Sequence, residues 1–322
     1  MSARTEASKL KNSANRLGVD LERLPELLRE TVGPRARVAA IESLKWRQDY
    51  TVLLVNVEQP ETRVVVELAG PKAELACPFE RTAQLHRLVA SRTGLDMPEI
   101  LGVDTSYGRY PWRYLVKTHI AGVEWVQVRQ QMSARERAHA FWQLGHVLAE
   151  LHYIHFDSFG ELTADAEVEH GQSCLEALQA RSRERIRPPV MRERFLELLE
   201  QRSAWFEGVK RSCLTHEDLH QHNLIFDHQC DAWRLATILG FDKAWAGHGE
   251  SDLARLALWR GMSHPLLWKA YYGLEGPEPG WRERRPVYQL LWCLEYARNT
   301  TAHLADTRRL CEQLGVKFER FE

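Results

Sequence analysis

The sequence has little of several features that mark common classes of protein. Its 322 residues include six cysteines, none in a CxxC pair or at a zinc-like spacing from histidine. Scattered thiols are typical of a reducing compartment rather than of a disulfide framework. No apolar run approaches the roughly 18 residues that cross a bilayer. The polar N-terminal stretch lacks the apolar core of a signal peptide. We therefore expect a cytoplasmic protein.

Charge of one sign is also missing. The chain has 43 Lys and Arg against 44 Asp and Glu, a net charge of −1, and no basic run stands out. This balance gives no reason to expect nucleic acid or an anionic membrane as a partner. A hydrophobic content of 44% and a charged content of 27% describe an ordinary globular protein. The length is sufficient for two lobes with substantial cores.

The first third of the chain predicts an antiparallel sheet. An amphipathic helix with Leu24, Leu27 and Leu28 on one face follows an N-terminal tail. Runs rich in Val, Ile and Tyr, separated by polar turns, then predict strands and a meander. A helix interrupts them, and an extended linker, 120–122, ends this part. The expected strands are Arg37–Leu44, Tyr50–Glu58, Arg63–Ala69, Glu99–Thr105 and Trp112–His119, with the helix at Pro78–Ser91.

The remainder is typical of a helical lobe. Ser133 and Glu136 form a capping box before an apolar helical repeat. Further helices are expected at Leu175–Arg185, Met191–Val209, Ser251–Arg260, Leu266–Gly273 and Pro286–Gln313, interrupted by a short hairpin around 224–226 and 235–241. The sequence therefore predicts an α+β fold of two lobes with a cleft at the linker. Its parts are 1–36 (tail and helix), 37–119 (small lobe) and 120–322 (helical lobe).

One polar cluster carries the chemistry. His216, Asp218, His220 and Asn223 fall within eight residues, and a β-like segment, 235–241, then leads to Asp242. An Asp and an Asn five apart, followed by a strand that delivers another carboxylate, is the layout of a phosphoryl-transfer site. Asp252, further on, is expected to cap its helix and to brace this loop.

These residues resemble the aminoglycoside phosphotransferase and choline kinase branch of the protein-kinase-like fold. The catalytic-loop pattern of that branch, H-G-D-L-H-x-x-N, reads H-E-D-L-H-Q-H-N at 216–223. Its I-D-[FW]-[DE]-x-A and D-L-A segments correspond to L-G-F-D-K-A at 239–244 and D-L-A at 252–254. P-E-I-L-G at 98–102 and the pattern from His152 to Gly160 extend the resemblance over roughly 37–310.

The resemblance implies transfer of a γ-phosphoryl group from ATP or GTP, with Mg²⁺, to a hydroxyl of a small molecule. Asp218 would be the catalytic base, in a loop that also contains His216, which we expect to be a hydrogen-bonding residue of that loop. Asn223 would hold magnesium, with Asp242 as the second candidate ligand. On the nucleotide side of the small lobe, Val65, Glu67, Thr118 and His119 take the corresponding positions.

Three positions depart from the family pattern. Glu67 stands where the third strand should carry a lysine for the phosphates. A carboxylate there would repel triphosphate, at roughly 4 kcal/mol per charge pair near 4 Å and an effective dielectric of 20. Lys72 and Lys45 are candidate substitutes, while Glu80, Glu74 or Thr82 would occupy the position of the helix glutamate. Gly240 falls at the magnesium-binding Asp, and on a continuous strand Asp242 would be displaced by roughly 6–7 Å.

Several alternatives stay open at this point. The protein could be an active small-molecule phosphotransferase, a catalytically degenerate binding or scaffold protein, or a binder that sequesters the acceptor. His220 and His222 allow a metal interpretation with Asp218, although a fourth ligand is missing. Trp292 and Tyr296 are expected in the core. The acceptor, the choice between ATP and GTP, and the oligomeric state cannot be inferred from the sequence.

Overall fold

The computed structural model describes residues 21–46, 50–71, 73, 79–273 and 276–321, without the side chains of 43–46. The chain divides into two compact units. The small unit comprises 1–91, 96–121 and 164–166, and the large unit comprises 92–95, 122–163 and 167–322. The predictions for the N-terminal tail, for Pro78, for Lys72 and Glu74, and for the Lys45 side chain lie outside what is described.

The small unit contains a five-stranded antiparallel sheet in the order β1-β2-β3-β5-β4. The expected strands and meander are therefore confirmed, with ends shifted by one or two residues. The strands are β1 (Arg37–Trp46), β2 (Thr51–Glu58), β3 (Thr62–Ala69), β4 (Ile100–Asp104) and β5 (Arg113–Thr118). Two helices accompany them, α1 (Leu24–Thr31) and α2 (Phe79–Arg92).

The two faces of this sheet belong to different apolar clusters. Leu27 and Leu28 of α1 share one buried cluster with Val64 and Val66 of β3. Ala69 of β3 belongs to the other, with Phe79 and Ala83 of α2 and Leu115 of β5. Since side chains alternate along a strand, Val65, Glu67 and Ala69 share the second face. The strand period therefore directs Glu67 to the face on which α2 packs.

The large unit is mainly helical. Its capping box is confirmed: the Ser133 hydroxyl accepts from the N–H of Glu136, and the Glu136 carboxylate accepts from the N–H of Ser133. The helices are α3 (Trp125–Val128), α4 (Ala134–His152), α5 (Cys174–Arg185), α6 (Pro189–Gln201), α7 (Glu250–Leu258), α8 (Pro265–Tyr272), α9 (Trp281–Tyr296) and α10 (Thr301–Leu314). None of the described helices is long and apolar enough to cross a membrane.

Two small sheets complete the large unit. The first has the order β10-β9-β6 and contains the expected hairpin, with β6 at Val123–Glu124, β9 at Leu224–Gln229 and β10 at Ala232–Ile238. The second, β11-β8-β7, was not predicted; its strands are Trp245–Gly247, Ser212–Thr215 and His155–Phe156. Strands of two to four residues offer too few side chains for an alternating pattern.

Two predicted helices have the wrong extent. The helix expected to reach Val209 ends at Gln201, and a 3-10 turn at Ser203–Trp205 follows it. The expected helix 286–313 is two helices, because the backbone reverses at Ala297, with φ 42°, and Thr300 caps the next helix through its side chain. Trp292 lies in the core as expected, whereas Tyr296 ends α9 and reaches the polar loop.

Candidate active site

The loop 216–223 connects β8 to β9 and is fastened by one buried carboxylate. Asp252 Oδ2 accepts from the N–H of His216 at 2.7 Å, and its Oδ1 accepts from the N–H of Glu217 at 2.8 Å. His152 Nε2 lies 3.1 Å from Oδ2. The predicted brace is therefore confirmed. Asp252 is not the helix cap, because α7 begins at Glu250 and Asp252 lies in its first turn.

His216 positions the loop and is not available as a proton carrier. Its Nδ1 accepts from the N–H of Asp218 at 3.1 Å, so the ring proton lies on Nε2, which is 3.0 Å from the carbonyl of Leu239. Burial lowers the pKa of this imidazole, against the attraction of Asp252. Since both nitrogens are used, His216 is a hydrogen-bonding residue of the loop, as the sequence led us to expect.

Asp218 is held in its ionised form. Its Oδ1 accepts a hydrogen bond from the hydroxyl of Tyr296, and its Oδ2 lies 3.7 Å from His220 Nε2. Burial by itself raises the pKa of this carboxyl, but His220, Lys243 and Tyr296 outweigh burial and hold the pKa well below its usual range. The Tyr296 phenol has a pKa well above its ordinary value, through burial and Asp218, so it remains a donor. Asp218 is therefore a partly buried, ionised carboxylate with a hydroxyl on one of its oxygens.

A lysine lies close to Tyr296. Lys243 Nζ lies 3.6 Å from the centre of the Tyr296 ring, a cation–π contact. Burial lowers the pKa of Lys243 to about 8, although Glu295 and Asp218 favour its charged form. Lys243 therefore supplies an ammonium at neutral pH beside the hydroxyl that contacts Asp218.

Glu217 replaces the glycine of the family's loop and is paired inside the protein. Its φ is 59°, in the left-handed region that a glycine adopts without strain. Its carboxylate accepts from Trp245 Nε1 at 3.2 Å and from the Ser251 hydroxyl, and it lies 2.8 Å from Arg255. These three partners hold the Glu217 side chain inside the protein, while its backbone takes a conformation that glycine favours.

The Glu217–Arg255 pair continues into a buried ionic network. Arg255 also lies 3.5 Å from Glu295, which is 2.7 Å from Arg181, and Arg181 is 3.2 Å from Glu161. The coulombic pull of Arg181 and Arg255 overcomes burial and lowers the pKa of Glu295 to about 2. Glu295 directly precedes Tyr296, so this network fixes the end of α9 from which the hydroxyl reaches Asp218.

Asn223 lies against Gly240, as the alignment of these positions implies. The side-chain Nδ2 of Asn223 donates to the backbone carbonyl of Asp218 at 2.9 Å. The backbone carbonyl of Asn223 accepts from the N–H of Leu239 at 2.8 Å. Gly240 has φ 89°, and a Cβ built there would be 2.7 Å from Asn223 Nδ2. The expected carboxylate position is therefore adjacent to Asn223, but glycine brings no ligand atom to it.

The predicted place of Asp242 was wrong. Strand β10 ends at Ile238, Gly240 turns the backbone into the left-handed region, and Asp242 lies in a 3-10 turn, Phe241–Lys243. The displacement expected for a continuous strand does not apply. Magnesium prefers six oxygen ligands and carboxylates among them. The contact between Asn223 and Gly240 offers it one amide oxygen and no charge, so a magnesium ion beside Asn223 would need a carboxylate from another residue.

The two neighbouring histidines have other partners. His222 Nδ1 lies 2.8 Å from Glu124, and His220 Nε2 faces Asp218 at 3.7 Å. Within the described part of the chain, a set of three ligand atoms at metal spacing is found at His248, Glu250 and Glu278 instead. The metal interpretation of His220 and His222 is therefore not supported.

In the small unit, Glu67 has a partner that sequence reasoning missed. Lys117 Nζ lies 2.7 Å from Glu67 Oε1, and both side chains are about nine-tenths buried, with exposures of 10% and 8%. Lys117 is opposite Val65 across the β3–β5 ladder, and Glu67 is opposite Leu115. The two charges therefore form a diagonal cross-strand pair on one face of the sheet.

The other residues expected on the nucleotide side fasten the ends of β5. The Thr118 hydroxyl accepts from the N–H of Glu99, and the N–H of His119 donates to the carbonyl of Arg63. Burial and Arg63 lower the pKa of His119. Glu80, a candidate partner for a phosphate-binding lysine, accepts from the N–H and hydroxyl of Thr105 instead. Glu80 therefore does not take the role of a lysine partner here, and Lys117 is paired with Glu67.

The two residues that the sequence did not indicate, Lys117 and Tyr296, are far in sequence from the residues that they contact. Lys117 is 50 positions from Glu67, and Tyr296 is 78 positions from Asp218. The strand register would have identified Lys117, because Val65, Glu67, Leu115 and Lys117 share one face of two neighbouring strands. No local sequence pattern indicated that Tyr296 would reach the loop.

Comparisons with known proteins agree with this fold. Solved structures share the fold at low identity. A proposed fructosamine-3-kinase from Thermobifida fusca has a TM-score of 0.64 at 19% identity, covering 90% of this chain and 96% of its own. The aminoglycoside phosphotransferase APH(4)-Ia, as a thermostable mutant with AMP-PNP and hygromycin B, has a TM-score of 0.62 at 14% identity, with 91% and 97% covered. A proposed aminoglycoside phosphotransferase from Ralstonia eutropha has 0.60 at 14%, with 92% and 96% covered.

No curated protein sequence matches the chain. The family model described as "Phosphotransferase enzyme family" matches residues 41–287, which is well over half of the chain and includes the loop 216–223 with its brace, Asp252. With the two-unit α+β architecture and the kinase-like neighbours, this match identifies the chain as a member of the phosphotransferase enzyme family.

Proposed function

We propose that this protein transfers the γ-phosphoryl group of ATP or GTP to a hydroxyl of a small molecule, with Asp218 as the catalytic base. The observation that carries the proposal is the hydrogen bond from the Tyr296 hydroxyl to Asp218 Oδ1. A hydroxyl already occupies the position in which an acceptor would present its proton. Since the base is ionised and its loop is fastened by Asp252, the acceptor side of the reaction is preorganised.

In the proposed reaction the acceptor hydroxyl takes the place of the Tyr296 phenol. Asp218 accepts its proton while the acceptor oxygen forms a bond to the γ-phosphorus. The bond from that phosphorus to the bridging oxygen breaks, and the nucleoside diphosphate leaves with the electron pair. The Lys243 ammonium, close to Tyr296, offsets part of the negative charge that gathers at this position.

In the proposed reaction, magnesium would bind together with the nucleotide and neutralise charge on its phosphates. Asn223 and Asp242 are the residues that we propose for it, and Asp242 is the nearest carboxylate in sequence to the Gly240 position. Because Gly240 contributes no ligand, we expect weaker metal binding and slower transfer than a complete site would give. Losing one charge-stabilising group typically costs about 10²–10³ in rate.

Thermal unfolding with ATP or GTP and Mg²⁺ tests nucleotide use. Ligand at about 100 times its dissociation constant stabilises the folded state by about 2.7 kcal/mol, a shift of several degrees. We expect such a shift with at least one of the two nucleotides, and a smaller one with AMP, which lacks the γ-phosphate. An unchanged melting temperature with both triphosphates at millimolar concentration would exclude the proposed donor.

A second candidate function is a catalytically degenerate member that binds its partner without modifying it. Gly240 favours it, because the metal carboxylate is missing, and so does Tyr296, which already covers Asp218. The two functions differ in one observable. A degenerate binder shows acceptor-dependent stabilisation without release of nucleoside diphosphate, whereas a transferase shows both.

The acceptor is proposed only by class, as a hydroxyl-bearing small molecule. Related structures with hygromycin B and with kanamycin support this class. We also propose a cytoplasmic location, which is supported by free thiols at all five cysteines that are described.

A further inference from the structure

We propose that Lys117 of β5 supplies the ammonium that contacts the nucleotide phosphates, in place of the lysine that β3 lacks. The inference rests on the proposed function and concerns a residue of the small unit. Its basis is the 2.7 Å contact between Lys117 Nζ and Glu67 Oε1. Glu67 occupies the family's lysine position, so this contact places the Lys117 ammonium next to that position.

The strand register explains how the ammonium reaches this position. Val65 is opposite Lys117, and Glu67 lies two residues further along β3 on the same face. Two residues along a strand span about 6–7 Å, which is close to the reach of an extended lysine side chain. Lys117 therefore crosses diagonally to the Glu67 carboxylate. Its ammonium lies beside the end of the side chain at position 67.

Like the phosphate-binding lysine of kinases, Lys117 is paired with a carboxylate, but the two charges lie on different elements. In kinases the lysine of the third strand functions while paired with a glutamate of the neighbouring helix. Here the carboxylate is on β3 and the ammonium on β5, while Glu80 of α2 is bound to Thr105. Pairing with Glu67 does not by itself remove Lys117 from this role, since the family's lysine is paired as well.

A purely structural role is the weaker explanation for burying this pair. Replacement of buried ion pairs by apolar residues is often neutral or stabilising, because desolvation offsets the attraction. Beside this pair, Leu115, Ala69 and Phe79 form an apolar cluster, and α2 also buries the polar side chains of Arg81, Thr82 and His86. An apolar pair would be compatible with the cluster, so the retained ammonium and carboxylate support a role in binding a ligand.

Nucleotide affinities of the full chain test the inference, measured by calorimetry with ATP and with adenosine. We expect Lys117→Met to weaken ATP binding by about tenfold or more, the range of one charge-assisted hydrogen bond. The affinity for adenosine should change by less than threefold. Lys117→Arg should retain most of the ATP affinity. Glu67→Gln should strengthen ATP binding, because the Lys117 ammonium is then no longer paired with a carboxylate. Lys269→Met, an exposed lysine of α8, is the control and should change neither affinity.

Equal losses of affinity for ATP and for adenosine in Lys117→Met would indicate a structural role for Lys117 and would overturn the inference. An unchanged ATP affinity in that variant would overturn it as well. If Lys117→Met does not fold, Glu67→Gln decides, because weaker or unchanged ATP binding in that near-isosteric variant is also contrary. A wild-type protein that binds neither ATP nor GTP overturns both this inference and the proposed function, whereas binding that is insensitive to Lys117 overturns the inference alone.

Discussion

The hydroxyl of Tyr296 donates a hydrogen bond to Oδ1 of Asp218, so the proposed catalytic base is in contact with a hydroxyl of its own chain. Tyr296 is the last residue of α9 and follows Glu295, whose carboxylate is held by Arg181 and Arg255. Under the proposed function, an acceptor would compete with this internal hydroxyl, whose helix end is held by the ion pairs of Glu295. This relationship determines what several substitutions should do.

Tyr296→Phe should make Asp218 more accessible to an acceptor. It removes one hydrogen bond to a charged group, worth about 1.5–3 kcal/mol, so we expect acceptor affinity or kcat/KM to rise by about tenfold. Tyr288→Phe is the matched control, a buried tyrosine of the same helix that bonds His248 instead. A fall in kcat/KM for Tyr296→Phe alone would show that the phenol assists the reaction rather than competing with the acceptor.

Asp252→Asn should loosen the loop. The substitution replaces one of the two oxygens that accept from the N–H groups of His216 and Glu217, and it removes the charge that His152 faces. We expect the free energy of unfolding, measured in urea, to decrease by about 3 kcal/mol. Asp306→Asn, whose side chain is 46% exposed, should leave it within about 0.5 kcal/mol. Similar values for both variants would mean that Asp252 does not brace the loop.

Glu295 should make stability depend on pH in the acid range. Its pKa is about 2 in the folded protein against an ordinary 4.5. A lowered carboxyl pKa stabilises the folded state above 4.5, and this stabilisation is lost as the pH falls towards 2. Its magnitude above that window is about 3 kcal/mol.

The comparison with Glu295→Gln isolates this contribution from that of other carboxyls. The difference in unfolding free energy between wild type and variant should be largest near neutral pH and should shrink below 4.5. Glu312→Gln, an exposed residue of α10, should show no such trend. A difference that stays constant from neutral to acid pH would contradict the role given to the network.

Gly240→Asp should restore a metal carboxylate beside Asn223. The new Cβ meets Asn223 Nδ2 at 2.7 Å, and φ is 89°, which Asp tolerates better than most residues. We expect a small loss of stability, of about 1–2 kcal/mol, together with stronger Mg²⁺-dependent ATP binding. Gly240→Ala has the same crowding without the carboxylate, so it should lose stability without gaining binding. Equal nucleotide affinities in the two variants would place the metal position elsewhere.

The structure also changes how a lysine should be restored at position 67. From the sequence alone, the double change Glu67→Lys and Gly240→Asp is the obvious way to recover nucleotide binding. In the folded protein, however, Glu67→Lys would bring a second ammonium next to Lys117. The exchange of both charges, Glu67→Lys with Lys117→Glu, keeps the pair neutral and is the appropriate background for Gly240→Asp.

What the sequence could predict follows from the range of the interactions involved. The strands of the small unit, the capping box at Ser133 and the Asp218–Asn223 loop depend on local patterns, and all are present in the structure. The end of a helix at Ala297 was missed although Thr300 is a recognisable cap, because apolar periodicity resumes beyond it. The contacts of Lys117 and Tyr296 depend on register and tertiary packing, which a single sequence does not contain.

The most direct test of the account is release of nucleoside diphosphate with ATP or GTP, Mg²⁺ and a panel of hydroxyl-bearing small molecules, for wild type and Asp218→Asn. We expect at least one acceptor to accelerate release by the wild type. We also expect Asp218→Asn to abolish that acceleration while it still binds the nucleotide, because only the base is lost. Acceptor-dependent release of equal rate in both proteins, or none in the wild type with any acceptor, would contradict the proposal that Asp218 is the base of an active phosphotransferase.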